Sequence, residues 1–500
     1  MKKLLCLLVC IFLLWGCTPK EPPACTHIDA DDNGICDTCV AVVSVTVDFY
    51  NINDLHGKIL DGDTQPGVDE LTTYLKKARQ TDDHVILLSS GDMWQGSSES
   101  NLTAGNLTTE WMNELDFAAM ALGNHEFDWG EAPIAANAQL AEFPLLAINI
   151  FDKEDDARVD YCEASTIVDL GTVQIGIIGA IGDCYSSISA DKTQDVYFKV
   201  GDELTALVKA EATALREQGA DFIVYILHDG HGNSTGGGVS NVKTSQLQSY
   251  YDISLSNGYV DLVFEGHTHQ RYLLRDIHGV YHLQNKGENK GISHMEVEIN
   301  PITGTTRVRQ HNLIASGTYA VLEDDPIVES LLEKYDGQIA PAKKVLGYNA
   351  AKRTSKELKQ IVADRYYGLG MELWGDEYDI VLGGGYISVR SPYDLPAGDV
   401  KYGQLQMLLP FDNQLVLCSI RGRDLRNKFF ETDNDNYFIS YGSYGADVRN
   451  NIDPDATYYI VTDTYSSLYA PNRLTEIVRY ESDVFARDLV AEFIKAGGLE

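Results

Sequence analysis

Positive charge is scarce in this chain. Thirty-nine Lys and Arg stand against 74 Asp and Glu, a formal net charge of −35 over 500 residues. Binding to a nucleic-acid backbone relies on clustered Lys and Arg, so no nucleic-acid partner is expected. The bland consequence of such charge is solubility and low self-association. Long apolar runs are also missing. After Leu4–Leu14, no segment approaches the ~20 apolar residues that a membrane-spanning helix needs. Cysteine is confined: six of nine precede residue 40, and only Cys162, Cys184 and Cys418 follow. That argues against a thiolate-held catalytic zinc. A Cys162–Cys184 disulfide is compatible with an oxidising compartment, although sequence alone does not establish it. The run Gly176–Gly182 misses the Gly-x-Gly-x-x-Gly spacing of a dinucleotide site.

What is present begins with an address. Lys2 and Lys3 precede the apolar run Leu4–Leu14, and Leu14-Trp15-Gly16-Cys17 follows it. This resembles the bacterial lipoprotein box, although Trp15 stands where a small residue is usual. Residues 1–17 are therefore expected to be a signal peptide, with Cys17 lipidated and the mature chain anchored outside the cytoplasm at the cell surface. A plain signal peptide is the simpler alternative. Thr18–Ala24 carries three prolines and is expected to be an extended tether. Two readings stay open for Cys25–Cys39. One is a structural metal site, for zinc through Cys25, His27, Cys36 and Cys39, or for calcium through Asp29, Asp31 and Asn33. The other is a disulfide-stapled spacer.

From Ser44 onward, apolar β-type runs alternate with amphipathic helical stretches, as in α/β layered domains. Five motifs follow such runs: NDLHG (Asn53–Gly57), SGDMWQG (Ser90–Gly96), GNHEFD (Gly123–Asp128), LHDGH (Leu227–His231) and GHTH (Gly266–His269). Side chains that do chemistry gather beyond the carboxyl ends of strands in such sheets. Asp54 and His56 alternate, as do His267 and His269, so strand periodicity predicts that each pair faces one cavity. Asp92 has two oxygens with which to bridge two cations. Asn124 offers a neutral carbonyl oxygen, and His228 ends a buried run. His125 and Asp128 have the spacing of an imidazole oriented by a carboxylate. Any one of these residues has a bland explanation; all of them together, each at a strand end, do not. The ligand mixture suits zinc, manganese, iron or cobalt. Two such ions side by side generate hydroxide at neutral pH and clamp a phosphoryl group.

At these residues the chain resembles the calcineurin-like metallophosphoesterase superfamily. Together with its second half it is similar to the bacterial 5′-nucleotidase and UDP-sugar hydrolase family, from about Val45 to the C-terminus. The resemblance implies an α/β four-layer metallophosphoesterase β-sandwich flanked by helices, joined to a smaller α+β substrate-binding domain. The expected plan is signal 1–17, tether and Cys/His/Asp-rich segment 18–43, dinuclear domain 44–319, linker helix 320–344 and substrate-binding domain 345–500. It implies one ion on Asp54, His56 and His269, another on Asn124, His228 and His267, and Asp92 between them. His125 with Asp128 would form the catalytic dyad.

In the second half, Gly383–Arg390 resembles the family's glycine-rich motif, with Leu382 where Asn is usual. Arg390 would pair with phosphate. Leu409–Asn413 resembles the family's Pro-Phe-Gly-Asn run, with Asp412 in place of Gly. Phe411 would stack on the base and Asn413 would meet it. Tyr465 would be a second ring, and Asn472 stands near where the family has a ribose-binding Asp. The implied activity is hydrolysis of nucleoside 5′-monophosphates to nucleoside and phosphate outside the cytoplasm. Activity on 2′,3′-cyclic nucleotides or UDP-sugars stays open, since one metal centre serves all of these. A non-catalytic surface lipoprotein would have no use for the dyad. Oligomeric state is not legible.

Overall fold

The computed structural model describes residues 34, 36, 44–62, 66–231, 254–387, 389, 394–430, 437–440, 451–468, 474–480 and 484–499. Cys17, Arg390 and Asn472, and the Cys25–Cys39 segment apart from Gly34 and Cys36, lie outside them.

The first unit is a pair of six-stranded sheets. One has the order β14-β13-β1-β2-β3-β4. Its strands are β1 (Val45–Ile52), β2 (Val85–Ser89), β3 (Ala119–Ala121), β4 (Leu145–Leu146), β13 (Gly291–Asn300) and β14 (Thr305–Ala315). The pairs from β1 through β4 are parallel, while β13 runs antiparallel to both its neighbours. The other sheet has the order β11-β12-β10-β9-β7-β6. It comprises β6 (Ser165–Asp169), β7 (Gln174–Ile181), β9 (Phe222–His228), β10 (Leu262–Glu265), β11 (Tyr272–Arg275) and β12 (Tyr281–Gln284). The short strands β5 (Ile150–Asp152) and β8 (Val196–Phe198) pair separately.

Strand alternation explains why the sheets stack. Val47 and Phe49 of β1 face Ile175 and Ile177 of β7, Val224 and Ile226 of β9, and Phe264 of β10 in one buried cluster. Phe49 and Phe222 stack across the gap with centroids 5.6 Å apart. Tyr50 and Ile52, on the opposite face of β1, pack with Leu71 and Leu75 of the helix Val68–Thr81 and with Trp111 and Met112 of the helix Asn106–Asn113. On the far side, Tyr225, Leu227 and Val263 pack with Val208, Ala212 and Leu215 of the helix Asp202–Glu217. The layers are therefore helix, sheet, sheet, helix. Each buried Leu, Ile or Phe contributes about 1.5–3 kcal/mol.

After β14, the helix Pro326–Lys334 is capped by Asp325, whose side chain accepts from the Ile327 N–H, with proline in its first turn. Its Val328 and Leu331 join the first unit's core. Beyond it lie a two-stranded sheet, β15 (Val345–Asn349) with β17 (Gly398–Lys401), and a five-stranded sheet of order β19-β16-β20-β18-β21. The latter contains β16 (Ile380–Tyr386), β18 (Leu415–Arg421), β19 (Tyr437–Ser440), β20 (Thr457–Asp463) and β21 (Thr475–Arg479). The helix Ser355–Trp374 packs on it around Tyr366, Leu417 and Val461, and the helix Ala486–Lys495 packs on that helix and on β15 through Ile494. Gly383–Gly385 lie inside β16. A Cβ on Gly383 would collide with the backbone of Tyr367, so this glycine run permits close helix-to-sheet packing.

Candidate active site

The predicted ligands converge beyond the carboxyl ends of β1, β2, β3, β9 and β10, but strand alternation is not what aims them. Asp54 (φ 53°), His56 (φ 52°), Asp92 (φ 55°), His267 (φ 69°) and His269 (φ 52°) all have left-handed backbone. The pairs 54/56 and 267/269 thus sit in tight turns after their strands, which corrects the periodicity argument. Left-handed backbone at a non-glycine residue costs of order 1–3 kcal/mol and persists only where neighbours enforce it. The enforcing bonds are visible. The N–H groups of Asp54, His56 and Gly57 donate to the carbonyls of Gly91, Asp92 and Met93 at 3.0, 3.0 and 2.8 Å. The His267 N–H donates to both Asp54 oxygens at 3.0 Å.

Two glycines admit this crowding. A Cβ on Gly91 (φ 87°) would lie 2.8 Å from His228 Nδ1, and one on Gly123 would collide with the Asp92 carboxylate. Neither position has room for a side chain.

The donor set fits divalent ions. Asp54, His56 and His269 bring one ligand atom each to within 4.8 Å of the others, as do Asp54, Asp92 and His228. His56 Nδ1 lies 2.8 Å from the Gln95 carbonyl, and His228 Nδ1 lies 2.7 Å from the Ser90 carbonyl. A carbonyl only accepts, so both rings carry a proton on Nδ1 and turn Nε2 inward. His56 Nε2 then faces His269 Nε2 at 3.1 Å, and His228 Nε2 faces Asn124 Oδ1 at 3.2 Å. Atoms facing at that distance need a positive centre between them, a proton or a metal ion. Asn124 Oδ1 also lies 2.9 Å from His267 Nδ1. Asp92 Oδ2 stands between the groups, 3.2 Å from His228 and 4.0 Å from His56. Burial works against ionising Asp92, but His228, His125 and His56 hold its carboxyl well below the usual range. Burial likewise opposes charge on His228, yet Asp92, Asp54 and Glu126 raise it to about 10. This field favours cations. His267 is lowered to about 4 by burial and by His228.

Cys184 lies near His228 and His267. Its thiol donates to the His228 carbonyl at 2.9 Å, and burial beside Asp229 and Asp92 pushes it well up, so it stays a thiol. Cys162 donates to the Ala147 carbonyl. Both cysteines are free, so the Cys162–Cys184 pairing considered above does not form.

Glu126 was missed by sequence reasoning. It lies within GNHEFD, between the dyad residues, and is fully buried. Its carboxylate accepts from the backbone N–H groups of Asp92 (2.8 Å), Met93 (2.9 Å), Trp94 (3.2 Å) and Gly123 (2.7 Å). One carboxylate thus ties the 92–94 loop to the 123–128 loop. Burial and Asp92 push its carboxyl up to about 7, against the pull of those donors. The signal was a charged residue inside a ligand motif with no ligand role assigned.

His125 Nδ1 lies 2.7 Å from Asp128 Oδ2, and the His125 N–H donates to Asp92 Oδ1 at 2.9 Å. The ring borders a cavity of about 210 Å³ that both halves of the chain line. From the first half come Asn124, Asp128, Ser187, Ser189, Lys192 and His267; from the second come Phe411, Asp412, Asn413 and Tyr465. Phe411 lies 6.1 Å from His125, 29° from parallel. Three of the four predicted substrate residues, Phe411, Asn413 and Tyr465, therefore share a cavity with the dyad. Sequence reasoning missed Lys192 and Arg487. Arg487 Nη2 lies 2.5 Å from Asp412 Oδ1, and its Nη1 reaches the Pro410 and Phe411 carbonyls at 3.5 and 3.4 Å.

The calcineurin-like phosphoesterase family model matches residues 48–271. The chain is 25% identical over 474 residues to endonuclease YhcR of Bacillus subtilis, covering 84% of this chain and 37% of that protein. It is 31% identical over 204 residues to a snake venom 5′-nucleotidase of Gloydius brevicauda, covering 38% of this chain and 34% of that protein. The chain thus spans about a third of the length of these two relatives. The fold matches a 5′-nucleotidase precursor from Thermus thermophilus with a TM-score of 0.67 at 19% identity, over 90% of this chain and 96% of that one. The sandwich, the cage of candidate ligands and the family match together mark residues 48–271 as similar to a calcineurin-like phosphoesterase domain. Across both halves the chain is similar in fold to that 5′-nucleotidase precursor.

Proposed function

We propose that this enzyme hydrolyses nucleoside 5′-monophosphates to nucleoside and phosphate, using two divalent ions, outside the cytoplasm. The observation that carries the substrate assignment is the shared cavity, in which the Phe411 ring lies 6.1 Å from His125. An aromatic face beside a phosphoryl-transfer dyad suits a base at one end and a phosphate at the other. Asp54, His56 and His269 would hold one ion, Asn124, His228 and His267 the other, and Asp92 both. On this donor set the ions would be zinc, manganese, iron or cobalt, and when bound they would supply activation of water and neutralisation of phosphoryl charge. His125, held through Nδ1 by Asp128, presents Nε2 to the substrate. There it donates to the phosphoryl group and to the departing nucleoside oxygen. Phe411 and Tyr465 take the base, Asn413 meets its edge, and Arg390 pairs with phosphate.

One observation favours a second reading. Lys192 lines the same cavity beside Ser187 and Ser189. An ammonium there suits a second phosphate, as in UDP-sugars; 2′,3′-cyclic nucleotides are the other diester candidate. The extracytoplasmic address and the lipid anchor at Cys17 rest on the Lys2–Cys17 pattern.

The test is product release by the purified chain with zinc, manganese, iron or cobalt: phosphate from AMP, UMP from UDP-glucose, adenosine monophosphate from 2′,3′-cyclic AMP and p-nitrophenol from bis-p-nitrophenyl phosphate. Metal-dependent release from AMP ahead of the diesters is expected. Preference for a diester moves the assignment to that substrate. Absence of release with any of the four metals overturns it.

A further inference from the structure

A second histidine–carboxylate cluster lies in the first unit, outside the seven ligands. His231, Glu265 and His282 are all buried and come from the turn after β9, the end of β10 and β12. One ligand atom of each lies within 4.8 Å of the others. Glu265 Oε1 is the common point, 2.9 Å from His282 Nδ1 and 3.9 Å from His231 Nε2.

The surrounding groups fix what each atom does. Asp276 Oδ1 accepts from the backbone N–H groups of His278 and Val280 at 2.9 and 3.0 Å, and Asp276 Oδ2 stands 3.3 Å from His282 Nε2. The Nε2 proton of His282 therefore points at Asp276. The Tyr272 hydroxyl donates to Glu265 Oε2 and accepts from the His231 N–H at 3.0 Å. That leaves His282 Nδ1 facing Glu265 Oε1. Two atoms with lone pairs at 2.9 Å need a positive centre between them, which is either a proton or a metal ion. A proton serves this pair, while His231 Nε2 stands 3.9 Å from the same oxygen. A metal serves all three, because ligands at about 2.1 Å from one ion stand roughly 3–4 Å apart. Asp276 behind His282 then matches the carboxylate–histidine–metal arrangement that orients metal-bound imidazoles.

We propose that His231, Glu265 and His282 form a separate structural site for a divalent ion of the zinc type. Two imidazoles and one carboxylate suit that ion. His231 lies three residues after His228, and Glu265 two before His267, so an ion there ties together two turns that carry ligands of the catalytic centre.

The experiment loads the full chain with zinc, dialyses it and measures metal per chain by mass spectrometry. His282→Ala is expected to hold one equivalent less than wild type. Any ion bound by the N-terminal cysteines is common to both proteins and cancels in the difference. Asp276→Asn keeps all three ligands and is expected to release one ion at about 10–100-fold lower chelator concentration. Equal content in wild type and His282→Ala overturns the proposal and assigns the cluster to an imidazolium held between two carboxylates. Should His282→Ala misfold and lose all metal, Asp276→Asn decides: release unchanged from wild type overturns the proposal as well.

Discussion

The two walls of the cavity are built differently. On the first unit's side, Asp54, His56, Asp92 and His228 are buried, and each is held by hydrogen bonds to backbone of another motif. Five ligands sit in strained left-handed backbone, and two glycines leave no room for a side chain. On the second unit's side, Phe411, Asp412, Asn413 and Tyr465 are half-buried and lie on a loop and a short helix. There, Arg487 holds the Pro410–Asp412 stretch, and Gln414 and Thr464 bond the loop to the helix. The difference separates two duties. Metal chemistry needs donor atoms fixed to a fraction of an ångström, and strain is tolerable where the network is dense. Base recognition by aromatic faces tolerates more play.

The largest expected effects lie on the rigid side. Asp92→Ala removes the atom between the two ligand groups. Turnover is expected to fall by at least about 10³-fold, with bound metal reduced, as measured by phosphate release and metal content. His125→Ala comes next. A general acid contributes about 10²–10⁴-fold, so kcat falls in that range while metal content stays at the wild-type value. Loss of metal from His125→Ala would merge the dyad with the cage and erase the distinction between them.

Glu126→Gln sharpens the comparison within the rigid side. The amide keeps the shape but offers one acceptor oxygen to four backbone donors. Hydrogen bonds to a charged group are worth about 1.5–3 kcal/mol each, so a loss of at least about 2 kcal/mol is expected by denaturant melt. The same variant should bind metal more weakly, because the 92–94 and 123–128 loops lose their tie. Unchanged stability would mean that the loops hold each other by backbone bonds alone.

How far these roles were legible follows from how each is encoded. The layered α/β plan was readable because β1 alternates inward Val47 and Phe49 with outward Tyr50 and Ile52. The convergence of the candidate ligands was readable because each ends such a run. The turns at Asp54–His56 and His267–His269 were not, since strand periodicity predicts the same convergence that left-handed backbone produces. Glu126 and Arg487 were hidden for another reason. Their partners include backbone groups of other loops, and a backbone N–H or carbonyl has no letter in the sequence. Lys192 reaches the cavity only through the short 3-10 turn Ala190–Lys192, whose position depends on the fold.

On the looser side, smaller effects are expected. Base–aromatic stacking is worth about 1–3 kcal/mol, so Phe411→Ala should raise KM for AMP by roughly 10-fold and leave kcat within a few-fold. A phosphate ester lacking a base should show no change in KM. A matching loss with both substrates would make Phe411 a support for His125 and not a base platform.

The smallest effect, and the one that tests the loop itself, concerns Arg487 and Asp412. Arg487 is nearly buried, packs its guanidinium 4.8 Å from the Phe485 ring and faces the carbonyls of Pro410 and Phe411. Asp412 is the more exposed partner, so the pair is worth less than a fully buried one; about 1 kcal/mol of coupling is a fair expectation. If Asp412 is there to fix Arg487, and through it the Phe411 carbonyl, then Asp412→Gly and Arg487→Met should each raise KM for AMP by about 3–5-fold. The double variant should then do no more than either alone. Additive effects in that cycle would mean that Asp412 touches the substrate directly, while Arg487 serves only the packing of the helix Ala486–Lys495. The base-free ester separates these outcomes further, because a loop that merely aims Phe411 cannot affect a substrate with nothing for Phe411 to hold.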